Sequence, residues 1–262
     1  MLFVLCLLVT LFACLIGTIC GMGGGIIIKP VLDATGAMSG ATITFLSGVT
    51  VIAMTCWNMG KTFLKKETVI DAKHTPMLAV SAAVGGVLGK TLYTQVASLF
   101  ADKSTASGIQ AVLLFLATLA TLIYTLKKDS LVSKHVDSRL ASLLIGFILG
   151  VFGAFLGIGG GPFNVAVLFF FFSMPSKRAA QNSLFIILFS QLASTLKTVL
   201  FDGIPSFNPW ILAGMIVFGI LGNELGRKIN KRLDDRKAIY WMVFGMGLIL
   251  AINLYNIVKY LL

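Results

Sequence analysis

Apolar residues run in long blocks along this chain, broken by short polar ones. Eight blocks, at 2–20, 42–64, 76–99, 106–126, 139–158, 179–201, 209–226 and 238–258, are each long enough to cross about 30 Å of hydrocarbon. Two shorter blocks, 26–38 and 162–174, reach only about 20 Å at about 1.5 Å per residue, which predicts half-helices or re-entrant arms. No polar stretch is long enough for a separate domain. The pattern predicts an all-α integral membrane protein, with residues 1–126 as a first membrane repeat and 139–262 as a second. The 127–138 linker between them is rich in charge and Ser and is expected in the cytoplasm.

Each short arm follows a glycine block. The first reads Gly17-Thr18-Ile19-Cys20-Gly21-Met22-Gly23-Gly24-Gly25 and the second Gly153-Ala154-Phe155-Leu156-Gly157-Ile158-Gly159-Gly160-Gly161, with five glycines recurring at an offset of 136. Three consecutive glycines break a helix where water cannot satisfy the backbone, so each break must be buried in protein or line a cavity. Paired breaks at corresponding positions of two halves point to a transporter's binding site. Close packing of small residues would instead give spaced small-xxx-small patterns. The repeat continues beyond the glycines. Ser47 matches Ser183 and Lys61-Thr62 matches Lys197-Thr198 at the same offset. At an offset of 133, Pro76 matches Pro209 and Gly86-Val87-Leu88-Gly89 matches Gly219-Ile220-Leu221-Gly222. Each half therefore reads as a broken hairpin followed by three spanning helices.

Composition agrees: 57% of residues are hydrophobic and 12% charged, against about a quarter charged in soluble domains. The net charge of +11 does not indicate nucleic acid, because 16 of the 21 Lys and Arg lie in four clusters, 61–73, 127–139, 177–178 and 227–237. All four flank apolar runs, as cytoplasmic loops do. Putting them together in the cytoplasm leaves the 99–104 and 202–208 turns outside. The first hairpin then enters from outside and the second from the cytoplasm. An odd number of net crossings per half makes the repeats inverted, with both termini outside and the substrate between them near the midplane. Cys6, Cys14, Cys20 and Cys56 lack metal-ligand spacing and read as small apolar fillers. The first 20 residues carry no positive n-region and are expected to remain as the first membrane segment. No nucleophile elbow, Walker loop, HExxH or zinc spacing occurs, so neither catalysis nor a cofactor is expected.

The candidate substrate contacts begin with Gly23, Gly24, Gly25, Gly159, Gly160 and Gly161, whose breaks expose amides to a ligand. Pro162 suits the first position of a helix, whose N-terminal amides and positive dipole end favour an anion. Asn164 adds a donor in that first turn, although an interhelical hydrogen bond would serve it equally. Lys29 is expected in the first turn of the other half-helix, where an anion would relieve its repulsion by the dipole; a shallow hairpin would instead let it snorkel. Along the next helix Ser47, Thr50, Met54, Asn58 and Lys61 are spaced 3, 4, 4 and 3, one face. The matching stripe holds Ser183, Ser190, Ser194 and Lys197, flanked by Asn182 and Gln191. Polar faces on membrane helices look inward. Lys61 and Lys197, near opposite ends of the pathway, suit a gate or anion attraction, or interfacial anchoring.

The paired GxxxGxGGG blocks, the polar helix after each and the PxxLxxG-like third segments resemble the sulfite exporter family TauE/SafE over nearly the whole chain. The resemblance implies an inner-membrane permease for small sulfur-containing anions, such as sulfite or organosulfonates, exporting by alternating access. Lys29 departs from it, since many relatives carry an apolar residue before this proline, which makes room for a more negative substrate or a carboxylate. An anion channel with the same site, or a membrane redox or sulfur-handling protein using Cys14 and Cys20, stays open as an alternative. The partners this reading allows are a small anion, the lipid bilayer, a coupling proton or cation, and a second copy as a homodimer.

Overall fold

The computed structural model describes residues 2–64, 70–100, 103–127 and 133–261. Among these there are ten α-helices and one π-helical turn, and no strand. The first half gives α1 (Leu2–Cys20), α2 (Gly25–Thr35), α3 (Gly40–Leu64), α4 (Thr75–Ser98) and α5 (Lys103–Lys127). The second gives α6 (Arg139–Phe155), α7 (Pro162–Phe172), α8 (Ser176–Lys197), α9 (Pro209–Arg232) and α10 (Asp235–Leu261), with the π turn, Thr198–Asp202, extending α8. The short arms are half-helices, as the apolar pattern predicts.

Two expectations need correcting. Among the described residues seven helices are long and apolar enough to cross a membrane, not eight. The exception is α6, whose 17 residues stop at Phe155 because Gly157 takes a left-handed φ of 71° in the break. Lys29 is not in the first turn of its helix. The carbonyl of Gly24 accepts from Ile27 N and Ile28 N, so α2 starts at Gly25 and Lys29 falls in its second turn. Pro30 is thereby inside the helix, which neighbouring helices in a membrane protein can accommodate.

Packing repeats between the halves. α1 lies along α9, and α4 lies along α6; α3 touches α8 and α9, while α8 touches α3 and α4. Exchanging the halves turns each of these contacts into its counterpart. Glycines set the close approaches: a Cβ on Gly150 would overlap the Ala82 carbonyl of α4, and one on Gly222 would overlap the Leu11 carbonyl of α1. Small residues let backbones meet in this way where no hydrophobic driving force joins helices.

The basic clusters gather at one end of the bundle. Lys73 pairs with Asp137 at 2.7 Å, and Arg178 lies 3.8 Å from Asp71. The hydrogen bond and charge of Lys73 hold the exposed Asp137 carboxyl below its ordinary range. Lys61 pairs with Glu224, which also meets Arg227 at 3.4 Å. His74 is buried there against Phe172 and bonded to Ser142. Lys65, Lys66 and Lys128 lie outside the described residues. At the opposite end Thr42 donates to Ser206 O, and Lys259 and Tyr260 of α10 donate to the carbonyls of Ala34 and Asp33.

Candidate functional site

The two glycine breaks share one backbone turn. Gly17 O accepts from Met22 N at 2.9 Å and Gly23 N at 3.3 Å; Gly153 O accepts from Ile158 N at 3.1 Å and Gly159 N at 2.9 Å. Gly23 and Gly159 take φ of 73° and 69°, a left-handed region glycine enters without a Cβ penalty. The copies then diverge, with Gly24 right-handed at φ −69° and Gly160 at φ 148°. Both reach the middle of the bundle. A Cβ on Gly23 would stand 3.4 Å from Ile187 Cδ1, and one on Gly160 2.5 Å from Ile187 Cγ1. A Cβ on Gly25 would stand 3.2 Å from both Ile158 O and Val51 Cγ2. Val51 and Ile187 lie midway along α3 and α8, so the breaks converge where those two helices pack.

Several of the predicted polar residues meet there. Gln191 lies against Gly159 and Gly48, and Ser194 Oγ bonds to Gln191 Oε1 at 3.2 Å. Asn164 is the third residue of α7, as expected of a helix that starts at Pro162, and its Nδ2 faces Gly160. Ser190 lies against Gly86 of α4. Asn164 Oδ1, Ser183 Oγ, Ser190 Oγ and Asn58 Oδ1 are buried and without a hydrogen-bond partner. Each such atom costs about 1–3 kcal/mol. Three of the four belong to α7 and α8, while Asn58 is on α3 nearer the basic end.

Other predicted residues are elsewhere. Ser47 is fully buried and bonds back to Thr44 O, one turn earlier on its own helix. Asn182 accepts from Asp71 N and Thr75 Oγ1 and donates to Arg178 O, tying α8 to the loop before α4. Lys61 and Lys197 sit in the last turns of α3 and α8, each against a carboxylate: Glu224 for Lys61, and Asp202 at 2.6 Å for Lys197. Lys29 is 3% exposed and pairs with Asp33, 8% exposed, at 2.6 Å. Its countercharge thus comes from its own helix, i to i+4.

Two features were passed over in the sequence. Asp33 was legible from its spacing to Lys29. At the basic end, Thr18, Asn58, Lys177, Arg227 and Lys231 line a cavity of about 30 Å³ beside the end of α1. It is room for about one water and faces the first break with three cations nearby. The approach of Lys177 and Arg227 to α1 and α3 is a tertiary contact, which spacing along the chain does not show. Among the described residues no three His, Cys, Asp or Glu side chains gather as a metal would need. Cys14 and Cys20 are free thiols filling space beside Gly24, Gly219 and Gly245.

Comparison with known proteins agrees with this architecture. The chain is similar to the probable membrane transporter protein YunE of Bacillus subtilis (strain 168), with 26% identity over 271 aligned positions that cover 95% of each chain. No solved structure matches it. The family model described as sulfite exporter TauE/SafE matches residues 6–254, which contain both glycine breaks and both polar helices. Those breaks, the multi-pass helical bundle and the match across almost the full length lead to one assignment: the chain belongs to the sulfite exporter TauE/SafE family of membrane transporters.

Proposed function

We propose that the protein is a secondary permease that exports small sulfur-containing anions, such as sulfite or organosulfonates, by alternating access between two inverted repeats. The convergence of the two breaks at the middle of α3 and α8, beside unpartnered hydroxyl and amide groups of α7 and α8, carries this reading. Serine hydroxyls and asparagine amides bind an oxyanion without fixing it as tightly as a buried cation would. Inversion is supported by the ends of the helices. α6 starts among the basic clusters, where Ser142 meets His74, whereas α1 ends towards them, where Asn230 donates to Ile19 O. Val51, Ile158 and Ile187 are buried beside the breaks, which favours a gated carrier over an open channel.

Two experiments test this. Proteoliposomes should accumulate sulfite, sulfate or methanesulfonate only under an imposed gradient; conductance that ignores the gradient's direction would indicate a channel. Single cysteines in the 202–208 turn should label from outside, and those at 70–73 only from the cytoplasm. Equal labelling of both turns from outside would end the inverted arrangement.

A further inference from the structure

Exchange of the halves maps Lys29 onto Val165, Asp33 onto Phe169 and Leu156 onto Cys20, all at the 136 offset. Two small cavities behind the half-helices follow the same exchange. One is lined by Lys29, Asp33 and Leu156, the other by Val165, Phe169 and Cys20. The second half builds this corner of the fold with two apolar side chains, so the fold itself requires no charge there. Replacing a buried ion pair by apolar residues is often neutral or stabilising, because desolvation can exceed the attraction. A pair present in only one of two equivalent corners therefore needs a reason other than packing.

The surroundings supply one. Gln110 of α5 donates Nε2 to Phe155 O, the last residue of α6, and leaves Oε1 buried and unpartnered. Asn256 of α10 donates Nδ2 to Pro30 O and leaves Oδ1 buried and unpartnered. Both residues line the same cavity of about 10 Å³ as the ion pair. A carboxylate only accepts hydrogen bonds, so it can satisfy neither oxygen, whereas a protonated Asp33 gains an O–H to donate. Lys29 also reaches the second break: its Cε lies 2.8 Å from where a Cβ on Gly157 would stand. Among the described residues, the other ionisable groups near the pair are Lys90 and Tyr93 on α4, and Lys259 and Tyr260 on α10. α5 and the α6–α7 break bring Ser107, Gln110 and Leu156, none of which titrates.

We infer that Lys29 and Asp33 form a proton-binding switch in which Asp33 and the transported anion compete for the Lys29 ammonium. This rests on the permease reading above. A proton from solution adds to the Asp33 carboxylate, the acid donates to Gln110 or Asn256, and Lys29 is released towards the second break. An anion there restores its charge partner. Loss of the anion returns Lys29 to Asp33 and expels the proton. Proton and anion therefore move together.

Two arms test it on the full-length protein in lipid. Infrared difference spectra without substrate should show a protonated-carboxyl band growing on acidification, lost in Asp33→Asn and kept in Asp202→Asn. Flux is followed in proteoliposomes loaded with a pH dye, with sulfate and methanesulfonate as probes, since neither takes up protons near neutral pH. Wild type should move protons with the anion, and Asp33→Asn should move the anion without them. Lys29→Val with Asp33→Phe, a copy of the other half, should match the wild-type melting temperature yet move neither. An unchanged band or unchanged proton movement in Asp33→Asn overturns the proposal, as does flux that follows sodium at fixed pH. A wild type that carries no anion but shows the Asp33 band removes the permease reading and leaves the proton site standing.

Discussion

Gly89→Ala is expected to lose most of the well-folded protein, whereas Gly60→Ala and Gly247→Ala lose none. A Cβ on Gly89 would overlap the Val151 carbonyl oxygen and stand 2.9 Å from its Cα, so it meets backbone that no rotamer change can move. One turn earlier, a Cβ on Gly85 would overlap Phe147 O, so the same face of α4 repeats the constraint. Overfilling such an interface costs about 1–3 kcal/mol per site, and the two sites act on one pair of helices. Gly60 and Gly247 have nothing within 4 Å of an added Cβ, although both lie within helices. Alanine there gains about 0.5–1 kcal/mol of helix preference. The measurement is monodisperse yield and melting temperature in detergent. A Gly89→Ala protein as stable as Gly247→Ala would show that α4 and α6 do not need their close approach, and the packing account would fall.

Hydropathy made most of this architecture legible, because each membrane helix must bond its backbone internally and so writes itself as one apolar run. The break positions were legible too, since glycine is the residue that accepts a φ near 70° in both copies. What escaped was the register of ends and partners. Lys29 was expected in the first turn of its half-helix, but Gly24 O opens α2 at Gly25 and leaves Lys29 in the second turn. Asn182, flanking the predicted stripe, was drawn to the loop at 71–75 by hydrogen bonds that only the packed structure brings within reach. The corner around Lys29 draws on α2, α5, α10 and the α6–α7 break, four segments far apart in sequence. The asymmetry was present in the sequence: at the offset that aligns the glycines, a charged pair faces an apolar one.

Packing decides which glycine substitution best reports on the ligand. An alanine at Gly24 would meet Cys14 at Sγ, Cα and N, all within 3.3 Å, so that variant tests the fit of α1 rather than a binding surface. Alanine at Gly86 or Gly219 tests packing too, because Cβ atoms there would stand 2.8 Å from Ser190 O and 2.7 Å from Thr50 Cγ2. The informative pair is Gly23 and Gly159, which share the same turn and nearly the same φ. Alanine at either carries a similar left-handed strain, about 1–2 kcal/mol. At Gly23 the methyl group makes only ordinary contact with Ile187, 3.4 Å away. At Gly159 it would overlap the Gln191 side chain and displace the amide that meets Ser194. Both variants should therefore melt at similarly lowered temperatures, while Gly159→Ala alone loses the stabilisation that added sulfite or methanesulfonate confers. Roughly tenfold weaker binding corresponds to about 1.4 kcal/mol, the scale of one lost hydrogen bond to a charged group. If both variants keep ligand stabilisation, Gln191 and the second break do not contact the anion; if both lose it equally, backbone strain rather than the displaced amide is responsible.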